Sequence, residues 1–448
     1  MALATSSSSH AFTSYRSHPR RRRNVAAVPS PRAAARRTET EEIVIVGAGV
    51  AGLATAASLR RLGVSATVLE QSPSLRAGGT SLTLFRNGWR VLDAIGVADD
   101  LRANHLRIQG MKMRSSSPAR GVLREFSFEE EAPGQEVRAV ERRALLEALA
   151  STLPPDAVSF SSKVRRVVAA ASGGGGATEL ELEDGRRIAA RVVVGCDGVR
   201  SPIARWMGFS EPRYVGHMAF RGLARYDGGG GGGGGGGQPF EAKVNYIYGR
   251  GIRAGFVPVS TTRVYWFICF NRATPGPKIT DPAALKREAL DLVRGWPDDL
   301  LGVMRDTPDD AVVRTPLVDR WLWPGLSPPA SSRCGGVVLA GDAWHPMTPN
   351  LGQGACCALE DAVVLARRLA ASRRDGDYGE AMRAYERERW GRVFPLTARA
   401  GVVGKLVQWG NPAVCAARDG VVIPRLVRLG PFLEHTNFDC GVLEPVAP

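Results

Sequence analysis

One short stretch constrains this 448-residue chain more than any other. Residues 42–46 (EIVIV), nearly all β-branched, lead without a gap into Gly47-Ala48-Gly49-Val50-Ala51-Gly52. Residues 53–62 then have the composition of a helix, and a second strand pattern, 65–69, ends at Glu70. Strand, GxGxxG turn, helix, strand and terminal acid in that order predict a βαβ unit of a Rossmann-like α/β fold with a parallel sheet. Each glycine has its own task. Gly47 permits the tight turn, Gly49 lets a pyrophosphate approach the backbone, and Gly52 lets helix and strand pack closely. Amides of the helix start, at Val50 and Ala51, face such phosphates with the positive end of the helix dipole. Glu70 is placed to accept hydrogen bonds from a ribose hydroxyl pair. The motif alone does not separate NAD from FAD.

Two later stretches repeat the theme of a buried strand running into glycine. Residues 191–194 (RVVV) enter Gly195-Cys196-Asp197-Gly198, and residues 336–340 (GVVLA) enter Gly341-Asp342. After Asp342 comes a loop stiffened by Pro346 and Pro349. It ends in Gly352-Gln353-Gly354-Ala355, ahead of a helical pattern over 356–369. With these three ordered motifs, residues 41–395 resemble the single-component FAD-dependent aromatic hydroxylases. That family contains p-hydroxybenzoate, salicylate and urate hydroxylases, and the chain is most similar to its plant monooxygenase branch.

The resemblance implies an FAD-dependent monooxygenase that uses NAD(P)H and O₂. It would hydroxylate a small aromatic or other electron-rich substrate through a flavin C4a-hydroperoxide. The cofactor carries that chemistry, so no catalytic side chain is assigned. A carboxylate at Asp342 suits a ribityl hydroxyl. The helix start at Gly352, Gln353, Gly354 and Ala355 suits the negative N1–C2=O edge of a reduced flavin. By the same resemblance Arg142, in residues 140–149 (VERRALLEAL), contacts the cofactor phosphates or ribityl chain, with Arg143 as the competing assignment. Val164 offers backbone contacts to the adenine, Thr83 approaches the cofactor, and Asp197 is structural and cofactor-gating. One departure stands out: where the family's motif continues Ser-x-x-Arg, this chain has Ser201-Pro202-Ile203-Ala204, which shifts any arginine role to Arg205. His345 reads as a loop-packing residue. Alternatives within reach of the same motifs are a plastid isoprenoid epoxidase, a flavin reductase and a non-catalytic flavin-binding protein.

Between the second and third motifs the texture changes to strands: 214–226, 242–248, 252–259 and 263–271. They predict an inserted, mostly antiparallel sheet that forms a substrate pocket with the segment 82–87. In 264–270 (VYWFICF), alternation puts Tyr265, Phe267 and Cys269 on one face and Trp266, Ile268 and Phe270 on the other, without saying which lines the pocket. Arg86 and Arg221 are candidate partners for a substrate carboxylate. The expected organisation is a leader over 1–40 and an FAD-binding part over 41–210 with a pocket segment at 80–136. A substrate domain over 211–325, a second FAD-binding part over 326–395 and C-terminal helices over 396–448 complete it.

Charge and composition then exclude other classes. The net charge of +15 invites nucleic acid, yet eight arginines and no acid lie within residues 1–38. The remainder shows no basic helix or aromatic-interleaved basic stripe, so no nucleic-acid partner is expected. That arginine- and serine-rich leader has the pattern of a transit peptide and predicts a chloroplast address, with mitochondrion or cytoplasm as alternatives. Seven cysteines without a CxxC pair predict free thiols and no metal site. No apolar run reaches the ~18 residues a spanning helix needs. Residues 396–408 and 421–429 read as amphipathic helices packed on the body, with peripheral membrane contact as the other reading. Two glycine runs, 173–176 and 228–237, read as expanded hairpin tips. Substrate identity and oligomeric state are not legible.

Overall fold

The computed structural model describes residues 38–75, 81–168, 177–226, 237–332 and 336–444. Strand β1 (Glu39–Val46) begins two residues before the expected start at Glu41, inside the expected leader. The rest of that leader lies outside the described residues. β1 is the middle of a seven-stranded sheet because its last four residues are apolar on both faces and buried. In order the sheet runs β7 (Val158–Ser159), β2 (Thr67–Leu69), β1, β10 (Arg187–Gly195), β9 (Thr178–Leu182) and β8 (Val164–Val168). β16 (Val337–Leu339) pairs with the end of β10. The pairs among β7, β2, β1, β10 and β16 are parallel. β9 and β8 add an antiparallel arm, so this sheet is mixed and not purely parallel. All three glycine motifs leave it from the ends of parallel strands, β1, β10 and β16, that lie side by side.

The second sheet runs β15 (Val313–Asp319), β11 (Arg213–Arg225), β14 (Arg263–Asn271), β13 (Ile252–Pro258), β12 (Lys243–Tyr248), β4 (Gly110–Ser115) and β5 (Val122–Ser127). Every pair is antiparallel except β12 with β4. The sheet therefore draws two strands from the expected pocket segment. The run 173–176 connects β8 to β9, which do pair, as a hairpin requires. The run 228–237 connects β11 to β12, which are separated by β14 and β13, so it is not a hairpin tip. Both runs, apart from Gly237, lie outside the described residues. A two-stranded ladder of β3 (Ser81–Leu84) and β6 (Arg138–Glu141) completes the strands.

β14 has one face in the core. Trp266, Ile268 and Phe270 are buried with Leu300, Val303 and Met304 of the helix Asp298–Arg305, and Trp266 Nε1 donates to Thr307 Oγ1 at 2.7 Å. The opposite face carries Tyr265, Phe267 and Cys269. The alternation is as expected, and the helices settle which side is core.

Two helices hold the end of β16 in place. The helix Gly354–Ala371 packs on the motif helix Val50–Arg61. The helix Tyr378–Val407 runs 30 residues without interruption and carries Pro395 inside it. The expected boundary at 395/396 is thus overturned, because Leu396, Thr397 and Ala400 are buried and packing sustains the helix past the proline. Residues 421–429 are likewise not an amphipathic α-helix: Arg418–Leu426 is a π-helix. The pattern over 140–149 also starts differently, since Val140 and Glu141 finish β6 and the helix is Arg142–Ser151, with Leu145 and Leu149 buried.

Between these helices lies a fully buried charge cluster. Arg389 donates to Asp361 Oδ1 and Glu360 Oε2, each at 2.7 Å, and Arg392 reaches Glu360 at 3.0 Å. Asn87 Nδ2 donates to Glu360 Oε1 at 2.6 Å. Burial opposes ionisation of both acids, but His345 and Arg389 at Asp361, and Arg389 and Arg392 at Glu360, outweigh it and hold both carboxyls below their ordinary values. Among the described residues the cysteines are free and buried, no group of side chains is arranged to hold a metal, and no helix is long and apolar enough to cross a membrane. Cys334 lies outside them.

Replacing Arg389 by Met leaves two buried carboxylates short of their partner. The expected loss is about 3–5 kcal/mol of unfolding free energy, read from urea denaturation; a loss within error of zero would show that the cluster does not stabilise the fold.

Candidate functional site

The first motif is built on backbone contact. Gly47 has φ +107°, and a Cβ there would lie 2.5 Å from the Cys196 carbonyl oxygen. A Cβ on Gly52 would lie 1.9 Å from the Gly47 oxygen, whereas one on Gly49 would meet nothing within 4 Å. The turn is closed on its inner side and open at Gly49, as an approaching phosphate requires. The helix that follows, including Val50 and Ala51, starts at Gly49 with no side-chain cap. Its first amides are free to meet an anion.

Glu70 is 6% exposed and accepts from the amides of Ala48 (2.8 Å) and Ser72 (2.9 Å). It therefore shapes the glycine turn as well as facing it. The Glu70 carbonyl accepts from Ser162 at 2.8 Å, which brings Val164, the first residue of β8, to the same end of the sheet. Thr83 pairs with Ala139 in the ladder that leads into Arg142.

Asp342 is open to solvent yet ringed by protein, and this surrounding raises its carboxyl above the ordinary value, with His345 and Arg142 pulling it down. An acid in a deep cleft has both properties. The two adjacent arginines differ: Arg142 acts electrostatically on Asp342, while Arg143 is 59% exposed and bonded to Glu147. Beneath the loop His345 is 1% exposed with Nε2 2.6 Å from Asp361 Oδ2, and that oxygen also accepts from the Gly341 amide at 2.9 Å. A packing role fits this burial. The following helix starts at Gln353 without a side-chain cap or an acid in its first turn. Gln353 is fully buried, accepts from Asn87 at 2.9 Å and leaves Nε2 unpartnered. Gly352 has φ +65°, and Gly354 and Ala355 open the helix; a Cβ on Gly354 would meet only Met347, at 3.8 Å.

The second motif departs from expectation. Arg205 is 63% exposed in an ion pair with Glu211 and does not face the site. The arginine that does act on Asp197 is Arg320, which sequence reasoning missed. Arg320 is 7% exposed, donates to the carbonyls of Ser210, Ala343 and Trp344, and acts electrostatically on Asp197. It thereby links the second and third motifs. No local pattern marks it, since its partners are main-chain atoms distant in sequence.

The pocket face of the second sheet lies opposite this loop, because Phe85 packs on that face and also sits 3.0 Å from where a Gly352 Cβ would be. By register Arg221 is beside Phe267 and Gly255, with Tyr246 beyond. Tyr265 and Phe267 stack at 6.3 Å, and Tyr246 meets Phe267 edge-on at 5.8 Å. Arg221 Nη1 donates to Thr315 Oγ1 at 2.6 Å. Three of the four expected substrate residues are therefore together. Arg86 is not among them; its guanidinium lies near the Gly134 turn.

Burial pushes the Asp197 carboxyl up to about 6. The folded chain thus takes a proton that the unfolded chain binds only near pH 4. The resulting stability is present in full below that value and is lost as pH rises through about 6. Asp197→Asn should gain unfolding free energy relative to the parent as pH rises from about 4 to about 7 and keep that gain above it, measured by denaturation at each pH; a pH-independent difference would remove the raised carboxyl.

Comparison with known proteins agrees with this geometry. Residues 40–221 and 330–400 match the model of the FAD binding domain family, the two stretches that carry the three motifs. "Monooxygenase 2" of Arabidopsis thaliana is 35% identical over 426 residues, covering 90% of this chain and 98% of that protein. An "FAD-dependent urate hydroxylase" of Klebsiella pneumoniae subsp. pneumoniae is 27% identical, covering 80% and 88%. Among solved structures, Klebsiella pneumoniae HpxO complexed with FAD and uric acid superposes with a TM-score of 0.73 at 24% identity, covering 88% of this chain and 96% of that one, which shows a shared fold. The chain belongs to the FAD-binding family of single-component FAD-dependent hydroxylases and is an FAD-dependent oxidoreductase.

Proposed function

We propose that this chain is a monooxygenase that takes electrons from NAD(P)H and adds one oxygen atom of O₂ to a small aromatic or otherwise electron-rich molecule. One observation carries the reading: two uncapped helix starts, at Gly49 and Gln353, follow strands β1 and β16 on either side of β10 in one sheet, and Phe85 joins the second of them to an aromatic sheet face. Bound flavin supplies the redox chemistry, accepting a hydride and passing its electrons to oxygen. The protein's part is to bind, orient and keep water out.

In this reading the amides at Gly47, Gly49, Val50, Ala51 and Gly52 hold the pyrophosphate and Glu70 the adenosine ribose. Val164 and Thr83 lie along the same cofactor, and Arg142 and Asp342 flank its ribityl chain. Asp197 sits beside the nicotinamide approach. The helix start at Gly352, Gln353, Gly354 and Ala355 faces the ring, where its amides favour negative charge on a reduced flavin. Tyr265, Phe267 and Arg221 line the substrate side.

The arginine- and serine-rich leader supports a plastid address, which a fusion of residues 1–40 to a fluorescent reporter tests directly. Leu406, Trp409 and Leu426 are exposed near Lys405 and Arg425, and they support peripheral contact with a membrane surface.

Purified full-length protein should be yellow, and it should consume NADH or NADPH faster when a suitable aromatic compound is added. Incorporation of ¹⁸O from ¹⁸O₂ into product identifies a monooxygenase; turnover that persists without oxygen identifies a reductase and overturns the proposal. Gly354→Asp has room in the fold, because only Met347 is near. It should nevertheless lower FAD affinity at least about tenfold, or about 1.4 kcal/mol, while the melting temperature of the flavin-free protein stays unchanged. Undiminished flavin content in that variant would remove the helix start from the cofactor site.

A further inference from the structure

Among the described residues, buried arginines follow a rule with one exception. Arg389 is fully buried and bonded to Glu360 and Asp361. Arg418, 8% exposed, pairs with Asp419 at 2.7 Å. Arg320, 7% exposed, has no acid but directs Nε, Nη1 and Nη2 at three main-chain carbonyls. Arg253 is 5% exposed and has neither. Among the described residues its hydrogen bond goes from Nη2 to the neutral amide oxygen of Asn350, Nε has no partner, and no carboxylate forms an ion pair with it. An isolated guanidinium removed from water costs several kcal/mol unless a counter-charge arrives.

Its position says where that counter-charge comes from. Arg253 pairs with Cys269 on β14 and Tyr248 on β12, two residues along the strand from Gly255, over which the Phe267 ring lies. It thus shares the pocket face with Tyr246, Tyr265 and Phe267, and through Asn350 it touches the loop that leads to Gly352. Nearby His217 has a buried Nδ1 without a partner. Burial, Arg253 and Lys405 together hold that histidine below its ordinary value. The corner is electropositive with an unspent donor, and an aromatic wall adjoins it.

We propose that Arg253, and neither Arg86 nor Arg221, recognises the substrate, and that the substrate is a planar aromatic or conjugated carboxylic acid. The guanidinium fork matches a carboxylate in shape and charge. Arg221 is already committed to Thr315. The ring of the acid then lies against Tyr246 and Phe267, which leaves its far edge toward the Gly352 loop. This inference rests on the monooxygenase reading for the word substrate, but not for the binding event.

The test uses two matched probe pairs, benzoate with benzamide and cinnamate with cinnamamide. Each is titrated into the FAD-loaded protein and followed by flavin absorbance and by melting temperature. The acids should bind at least about tenfold more tightly than their amides, a difference of about 1.4 kcal/mol. In Arg253→Met the preference should vanish, and Arg253→Lys should restore part of it. Without ligand, Arg253→Met should melt no lower than the parent, because it removes an uncompensated charge; a strut to Asn350 would instead melt lower when cut. Equal binding of acid and amide, no binding of either acid, a preference that survives in Arg253→Met, or a lowered melting point of that variant each overturns the proposal. A protein that retains no FAD overturns the monooxygenase reading separately, since the melting-temperature titration reads Arg253 on the flavin-free chain.

Discussion

The Asp361 carboxylate is the interaction on which the rest of the site depends. It is fully buried, yet kept ionised by Arg389 and His345, and with one oxygen it holds both the Gly341 amide and the His345 ring. The strand β16 ends there and the loop toward Gly354 begins there. A charge in that position fixes the loop's starting direction more sharply than apolar packing does, because hydrogen bonds are directional and an unpaired acid in the interior is expensive. Asp342, on which Arg142 acts electrostatically, directly follows this anchored residue in the chain.

Much of the architecture was legible because local rules coincide with tertiary demands. The strand at 263–271 occurs where its pattern places it, and those expected at 242–248 and 252–259 are each met to within one residue. The glycines of the first motif are required by close backbone approach, a steric demand that leaves a one-letter signature. Mistakes arose where a local signal was real but outvoted. Pro395 is a helix breaker in isolation, yet the buried residues on either side keep the helix intact. The glycine run 228–237 looks like a hairpin tip because strands flank it, and strand pairing is decided by partners outside the window.

The residues that escaped notice share a cause. Arg320, Arg253, Asn350, Asn87 and Glu360 act through partners roughly 20 to 270 positions away, many of them main-chain atoms, so no spacing announces them. Arginine is common in this sequence, and only burial distinguishes a working guanidinium from a solvated one. The choice between Arg142 and Arg143 shows the same limit: two identical neighbours at a helix start diverge only once the helix direction is known.

The uninterrupted helix Tyr378–Val407 is, at 1.5 Å per residue, a rod of roughly 45 Å. Near its start Tyr385 bonds to the Leu339 carbonyl of the nucleotide sheet, and at its far end Gln408 accepts from Asn271 of the pocket sheet. A brace fastened to both layers resists hinge motion between them. Traffic in and out of the cleft must therefore pass by displacement of loops and side chains, with Pro395 as the weakest joint in the beam.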